Sequence, residues 1–307
     1  MRVAPKAGKL VVRSAHGIVN TIATAAVMLI LLFSAYTMWD SRQLHSVASH
    51  THYARYNPTA DEGVSFEQLQ AINPDVFAWL SVYGTNIMYP MVQGRNNMQY
   101  VSTNVHGRFS LSGAIFLDHR ACRSFTDFSS IVYGHHMASN AMFGEIAMFV
   151  DRDYFDARPY GMLFFDGKEH GLEFFAFVYT PVTNRDVFRT TPTTKEAKQA
   201  HLDMLLEIAV HTRAEVDVTI EDRIVLLSTC SPRSHTGRDI LIGRITDNIF
   251  ENPFLYEPEE IILNIPVIDE FLGVWQQIPQ WLRITAGTLA VLLIVLLSII
   301  VWKKKRK

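Results

Sequence analysis

The segment Ile224-Val225-Leu226-Leu227-Ser228-Thr229-Cys230 decides how the rest of this sequence is interpreted. Its β-branched and apolar residues are typical of a buried strand, which places Cys230 at a strand end, where a rigid element can aim the thiol. Arg238 follows eight residues later, and Gly134-His135-His136-Met137 begins ninety-six residues upstream of the cysteine. Since a nucleophilic thiol needs a base and a cation nearby, this combination predicts a thiol enzyme.

Short strands dominate the sequence around this segment. The expected strands cover residues 77–82, 87–91, 114–117, 130–133, 162–165, 172–179, 215–220, 224–229 and 239–246. Many short strands in one domain favour a closed barrel or a sandwich. A short amphipathic helix is expected at 66–72, and a longer one at 195–212 with Thr193 and Glu196 at capping-box spacing.

Two uncharged apolar segments bracket the chain, from Ser14 to Trp39 and from Ile284 to Trp302. Each is long enough to cross a bilayer. Basic residues precede the first segment and follow the second, so the positive-inside rule places both termini in the cytoplasm and the middle of the chain outside the cell. The alternatives are a cleaved signal peptide for the first segment and a buried core helix for the second.

The sequence therefore predicts a two-pass membrane protein with its catalytic domain outside the cell. The expected divisions are a cytoplasmic basic tail (1–16), a transmembrane helix (17–39), a helical or spacer segment (40–63), a catalytic domain (64–250), a proline-containing tether (251–283), a second transmembrane helix (284–302) and a second basic tail (303–307).

Charge excludes nucleic acid as a partner. The chain has 28 Lys and Arg against 30 Asp and Glu, and nine of the basic residues lie in the two tails, which leaves the middle at about −11. A net acidic domain repels a phosphate backbone.

The chain has two cysteines, Cys122 and Cys230. A disulfide between them would be permitted outside the cell. However, Cys122 lies in a polar stretch that is typical of a loop, and a bridge would consume the proposed nucleophile. We therefore expect both thiols to be free, with the disulfide as the alternative.

Each candidate residue has a simpler interpretation when it is taken alone. A cysteine after an apolar run is commonly a small core residue, adjacent histidines are commonly surface groups, and an arginine is commonly solvated. Zinc is disfavoured because His135 and His136 would point to opposite faces of a strand and no Cys-x-x-Cys accompanies them. The co-occurrence of the three groups is what favours catalysis, with no metal or cofactor expected.

These residues also carry a family resemblance. The sequence Leu227-Ser228-Thr229-Cys230 followed by Arg238 resembles the active-site signature of sortases, the cysteine transpeptidases of Gram-positive cell surfaces. Upstream segments resemble the class B branch in order and spacing: 72–75, 79–80, 89–93, 97–101, 113–118, 133–137 and 142–144. The resemblance covers roughly residues 64 to 246.

The resemblance implies a mainly β fold: a closed eight-stranded barrel with an N-terminal helical element and a helix inserted between strands six and seven, here flanked by two transmembrane helices. It implies the catalytic residues His135, Cys230 and Arg238. It further implies a sorting-signal groove lined by Asn97, Val101, Ser228 and Thr229. His136 stands where many relatives carry asparagine, and is expected to be auxiliary at most.

By the same resemblance, Cys230 attacks an LPxTG-like or NPxTN-like signal near the C-terminus of a secreted protein, and the thioester passes to an amine. The second apolar segment is more familiar in pilus-building class C enzymes, so we expect a pilin lysine as the acceptor, with cell-wall peptide as the alternative. Two other classes stay open, a hydrolytic cysteine peptidase and an inactive module that binds the sorting signal.

Overall fold

The computed structural model describes residues 19, 23–35, 48, 50–59, 66–137, 140–189, 192–234 and 236–254. Residues 23–35 form a helix, α1, whose apolar side chains are exposed. Within the described ranges, no helix combines the length and hydropathy that a bilayer span requires. The predicted membrane helix at 17–39 is described only in part. The one at 284–302 and the tether from residue 255 onwards lie outside the described residues.

Nine strands form one sheet in the described part of the chain. They are β1 Val76–Val82, β2 Met88–Val92, β3 Ile115–Leu117, β4 Ser129–Tyr133, β5 Tyr160–Phe165, β6 Lys168–Pro181, β7 Ala209–Thr212, β8 Arg223–Cys230 and β9 Gly237–Thr246. The order is β5-β1-β2-β3-β4-β8-β9-β6, and β6 pairs back with β5. This closure confirms the predicted eight-stranded barrel, to which β7 adds outside the ring.

The length of β6 explains where β7 fits. One edge of β6 pairs with β9 from Gly171 to Pro181. The other edge pairs with β5 over residues 168–173 and with β7 over residues 176–178. The short strand β7 therefore occupies the part of the edge that β5 leaves unpaired.

The helices lie around this barrel. They are α2 His50–Tyr53, α3 Phe66–Ile72, α4 Arg152–Asp156 and α5 Lys195–Glu207, with 3₁₀ turns at Ala54–Tyr56, Gln99–Val101 and Gly144–Val150. The predicted helix at 66–72 is confirmed as α3, and α2 provides the N-terminal helical element. Since β7 lies outside the ring, α5 is inserted between the sixth and seventh barrel strands, as predicted.

Two apolar clusters meet across β8. Leu227 belongs to the barrel interior, together with Trp79 and Phe177. Leu226 instead packs on the outer face, with Leu202 of α5. Successive side chains of a strand point to opposite faces, and here both faces are covered, so the strand is apolar at every position from 224 to 227. Full burial of each such side chain stabilises the fold by about 1.5–3 kcal/mol.

The helix predicted at 195–212 is too long, because its last residues form a strand. The helix ends at Glu207, and residues 209–212 form β7. Ala209, His211 and Thr212 pair with β6, and this ladder outweighs the weak helical preference of the β-branched residues near the end of the segment. The helix is capped by Thr194, whose hydroxyl accepts from the Ala197 amide, and not by Thr193.

The predicted strand at 215–220 is wrong. The segment is irregular and ends in a turn in which the amide and hydroxyl of Thr219 both donate to the Asp222 carboxylate, at 2.7 and 2.9 Å. Val216 is buried, but polar side chains such as Asp222 accept the backbone hydrogen bonds within the segment itself. The alternation of apolar and polar side chains therefore does not lead to pairing with another strand.

Candidate active site

Parallel pairing of β4 with β8 brings His135 towards Cys230. The register places Tyr133 opposite Ser228, and each candidate side chain follows two residues later. The Gly134 amide donates to the Ser228 carbonyl at 3.2 Å, and the Thr229 hydroxyl donates to the Gly134 carbonyl at 2.8 Å. These two bonds continue the pairing beyond the end of β4, so the imidazole and the thiol emerge at the same edge of the sheet.

Antiparallel pairing of β8 with β9 supplies the guanidinium. Cys230 lies directly opposite Arg238, so both side chains are on one face of the sheet. By alternation this is also the face of Leu226 and Ile240, which α5 covers further along the strands. The structure therefore gathers the three predicted catalytic residues at adjoining ends of β4, β8 and β9.

Cys230 is open to a ligand. The residue is exposed and unbridged, and its thiol makes no hydrogen bond to any described residue. Arg238 is half-buried and donates through Nη1 to the Gly237 carbonyl at 2.9 Å. A guanidinium has five N–H donors, so several remain for a substrate carbonyl or an oxyanion.

Val101 fixes the tautomer of His135. Nε2 of the half-buried imidazole lies 2.8 Å from the Val101 carbonyl oxygen. A carbonyl can only accept, so Nε2 carries the proton and Nδ1 is the nitrogen left to exchange protons with a reacting group. Val101, predicted to line the substrate groove, thus contacts the predicted catalytic residue His135 through its backbone carbonyl.

Asp118 holds several polar side chains in place near the candidate site. Its fully buried carboxylate accepts from Nε and Nη2 of Arg120 at 2.9 and 2.8 Å, and from the Tyr133 hydroxyl at 3.3 Å. Burial acts to raise its pKa, but the hydrogen bonds and charge of Arg120, together with a hydrogen bond from Asn97, outweigh burial and lower the pKa to about 2. Asp118 is therefore an anion at neutral pH. The sequence analysis assigned it no role, although a carboxylate directly after a buried strand is a usable signal.

Asn97 is held between two neighbours. Its Nδ2 donates to Asp118 at 2.8 Å, and its Oδ1 accepts from the His119 amide at 2.9 Å. The half-buried amide therefore has a fixed orientation near the site. Its predicted contact with a sorting signal stays a prediction.

Ser228 and Thr229, the two residues before Cys230 in β8, are buried in this structure. Ser228 is 1% exposed, and its hydroxyl has no hydrogen-bond partner among the described residues. Thr229 is also buried and holds Gly134 as described above. Both shape the end of β8, and their predicted role in lining the groove remains a prediction.

A second ion pair supports the loop between β8 and β9. The fully buried Asp239 pairs with Arg233, whose guanidinium also lies 4.6 Å from the centre of the Tyr179 ring. Nearby, burial lowers the pKa of His136, against an opposing effect of Asp239, so this imidazole is neutral at pH 7. Sequence alone does not indicate that Arg233 and Asp239 pair, so neither is among the predicted site residues.

Both cysteines are free, so the disulfide alternative is not formed. Cys122 lies in the loop between β3 and β4, where its amide donates to Asp127 at 2.7 Å. A hydrogen bond from the Thr126 hydroxyl lowers the pKa of its thiol. Across the described ranges, no group of three or more His, Cys, Asp and Glu side chains could hold a metal ion.

Sequence comparison finds two curated relatives. The chain is 30% identical to sortase B of Staphylococcus aureus over 184 residues, which covers 59% of this chain and 74% of the relative. It is 31% identical to sortase B of Listeria monocytogenes over 180 residues, 58% of this chain and 72% of the relative. No protein-family model matches the chain.

Solved structures of class B sortases also align with this chain. A sortase B from the type II pilus of Streptococcus pneumoniae aligns with a TM-score of 0.53 at 39% identity, over 60% of this chain and 100% of that one. A class B sortase of Streptococcus pyogenes involved in pilus biogenesis aligns at 0.54 and 39%, over 59% and 98%. A substrate complex of Staphylococcus aureus sortase B aligns at 0.56 and 25%, over 68% and 94%.

Proposed function

The chain belongs to the sortase family, in its class B branch, and we propose that it cleaves a C-terminal sorting signal of a secreted protein and transfers the acyl group to a pilin lysine. The observation that carries the proposal is the exposed thiol of Cys230 directly opposite Arg238, with His135 at the adjoining strand end. The family makes the chain a cysteine transpeptidase, while the sorting motif and the acceptor are the proposed part.

In the first half-reaction, Nδ1 of His135 takes the proton of the Cys230 thiol, and the resulting thiolate attacks the threonine carbonyl of an LPxTG-like or NPxTN-like signal. Arg238 donates to the oxygen that gains charge in the tetrahedral intermediate. As the C–N bond breaks, His135 gives its Nδ1 proton to the leaving amine, and a thioester to threonine remains.

In the second half-reaction, the acceptor amine attacks the thioester. Nδ1 of His135 takes the proton from the amine, the new amide forms, and Cys230 leaves as a thiolate. In the first half-reaction one proton passes from Cys230 through Nδ1 of His135 to the leaving amine, and in the second one proton passes from the acceptor amine through Nδ1 back to the Cys230 thiolate, so the enzyme returns to its starting state. If water replaced the amine, the same steps would give hydrolysis.

Two lines support a pilin lysine as the acceptor. The Streptococcus relatives of the type II pilus and of pilus biogenesis are each 39% identical to this chain, compared with 30–31% for the curated relatives. The apolar segments that bracket the sequence, 14–39 and 284–302, would anchor the enzyme beside membrane-embedded pilin precursors. In this arrangement both termini are cytoplasmic and the catalytic domain is extracellular.

Mass spectrometry of reaction products tests the proposal. The full chain is incubated with sorting-signal peptides of both patterns and with lysine peptides, cell-wall stem peptides or no amine. We expect a cross-linked lysine product that is absent with Cys230→Ala, while Cys122→Ala, the matched control, retains most activity. Products with stem peptides alone would refute the pilin acceptor. Hydrolysis in the presence of every amine would refute transpeptidation, and no covalent adduct at Cys230 would favour a binding module.

A further inference from the structure

A cationic cleft opens beside Arg238 on the outer face of the barrel. Its volume is about 590 Å³. The lining comes from the loop after β6, the β3–β4 loop and the strand ends, and consists of Arg120, Tyr133, Val182, Arg185, Phe188, Arg189 and Arg238. The reactive thiol lies opposite one of these residues, so a peptide held at Cys230 would extend into the cleft or pass along its rim.

Carboxylates neutralise only part of the positive charge in the cleft. Arg120 is paired with the buried Asp118 at 2.8 Å, and Arg189 pairs with the exposed Asp186 at 3.3 Å. Neither Arg185 nor Arg238 has a carboxylate partner within 4.0 Å among the residues that the structure describes. The cleft therefore carries a net positive charge in a protein whose middle segment is acidic.

The walls of the cleft suit a peptide better than a small inorganic anion. Val182 is 43% exposed, and Phe188 is partly buried against the cluster below α5. Burial raises the pKa of Tyr133, so this side chain is a neutral hydroxyl and adds no negative charge. Apolar walls with guanidinium groups at the rim match a peptide that has apolar and acidic side chains close together.

We propose that this cleft binds a carboxylate side chain of a peptide substrate, with Arg185 as its main recognition residue. A planar guanidinium can donate two parallel hydrogen bonds to a carboxylate, which adds geometric selectivity to charge. The inference rests on the proposed transpeptidase function. The carboxylate has two possible sources, the sorting signal of the donor or the sequence around the acceptor amine, and the experiment separates them.

The experiment measures kcat/KM for matched peptide pairs with the full chain. In the donor arm, each position flanking the conserved part of the sorting signal is Glu or Gln, and the acceptor is constant. In the acceptor arm, the residues flanking the lysine are Glu or Gln, and the donor is constant. In one arm we expect a preference for Glu of about tenfold that weakens at high salt.

Variants assign this preference to the cleft. Arg185→Gln should reduce this preference to less than about threefold, and Arg185→Lys should restore part of it, because the positive charge remains while the planar guanidinium with its two parallel donors is lost. Arg152→Gln is the matched control, since this arginine is exposed on α4 and pairs with Asp156. Its preference should equal that of the wild type.

The outcomes are distinct from those that test the function. Equal rates for Glu and Gln peptides in both arms, with Cys230-dependent product still formed, would overturn the carboxylate site and leave the transpeptidase intact. A preference for Glu that persists in Arg185→Gln would overturn the assignment to this cleft. A preference in one arm that Arg185→Gln removes would support the site and identify whether donor or acceptor supplies the carboxylate.

Discussion

Replacement of Asp118 by Asn tests how much the ion pair and hydrogen bonds of this buried carboxylate stabilise the fold. The folded pKa of about 2, against an ordinary 3.8, corresponds to about 2.4 kcal/mol of stabilisation of the ionised form. Arg120, the main partner, has a side chain that is 50% exposed, so solvent screening reduces the expected loss to about 2 kcal/mol at pH 7. The Asn side chain has a similar shape, so little of this loss comes from packing.

The pH dependence gives the sharper test of Asp118→Asn. A carboxylate with a lowered pKa contributes its full stabilisation above the unfolded value of 3.8 and loses it as the pH falls through about 2. The difference between wild type and Asp118→Asn should therefore fall to about half at pH 3. The measurement is urea-induced unfolding of the full chain, followed by circular dichroism at both pH values.

Asp203→Asn is the matched control for this measurement. Asp203 lies exposed on α5, where it accepts a hydrogen bond from Gln199 at 2.8 Å, and its replacement should change the unfolding free energy by less than about 0.5 kcal/mol. A loss below about 0.5 kcal/mol for Asp118→Asn at pH 7 would refute the reasoning, and so would a loss of equal size at both pH values.

Two further predictions concern the strand ends and the helix above the barrel. Thr229→Val keeps the shape of the side chain but removes its hydrogen bond to the Gly134 carbonyl, so we expect the free energy of unfolding to fall by about 1 kcal/mol and kcat to fall several-fold. Thr229→Ser retains the hydroxyl and should restore both. A kcat equal to that of the wild type in Thr229→Val would contradict a positioning role. Burial lowers the pKa of His201, which lies 3.3 Å from the Ser129 hydroxyl, so the folded state resists protonation and stability should fall as the pH drops below about 6.5. The fall should be smaller in His201→Gln by urea unfolding between pH 7 and pH 5, and identical pH profiles would argue against this role of the histidine.

The barrel strands, and the meeting of Cys230, Arg238 and His135 at adjoining strand ends, could be predicted because their signals are local. The run ending at Cys230 is apolar at successive positions since one face of β8 lines the barrel and the other packs on α5. Segment β7 was missed because its residues also continue the helical pattern of α5, and only the free half of the β6 edge selects a strand.

The polar contacts around the site depend on the register of distant segments. Asp118 binds its near neighbour Arg120 and also Asn97 and Tyr133, which come from two separate stretches of chain, and sequence spacing alone does not reveal the last two contacts. The same holds for the bond between His135 and the Val101 carbonyl, which joins residues 34 positions apart. Such contacts are fixed by tertiary structure, so sequence patterns could nominate Cys230, His135 and Arg238 as candidates but could not name the groups that orient them.

The loop after β6 belongs to a different part of the chain from the strand ends that carry Cys230 and Arg238, and this arrangement is useful for engineering. Cys230 and Arg238 are held in the β8–β9 ladder, whereas Val182, Arg185, Phe188 and Arg189 belong to a surface connection between β6 and α5. If this connection selects the peptide, as proposed above, grafting it from a relative should exchange selectivity while Cys230, His135 and Arg238 remain those of the host. On the same proposal, substitutions confined to this one surface connection would change which peptides are selected and leave the barrel unaltered.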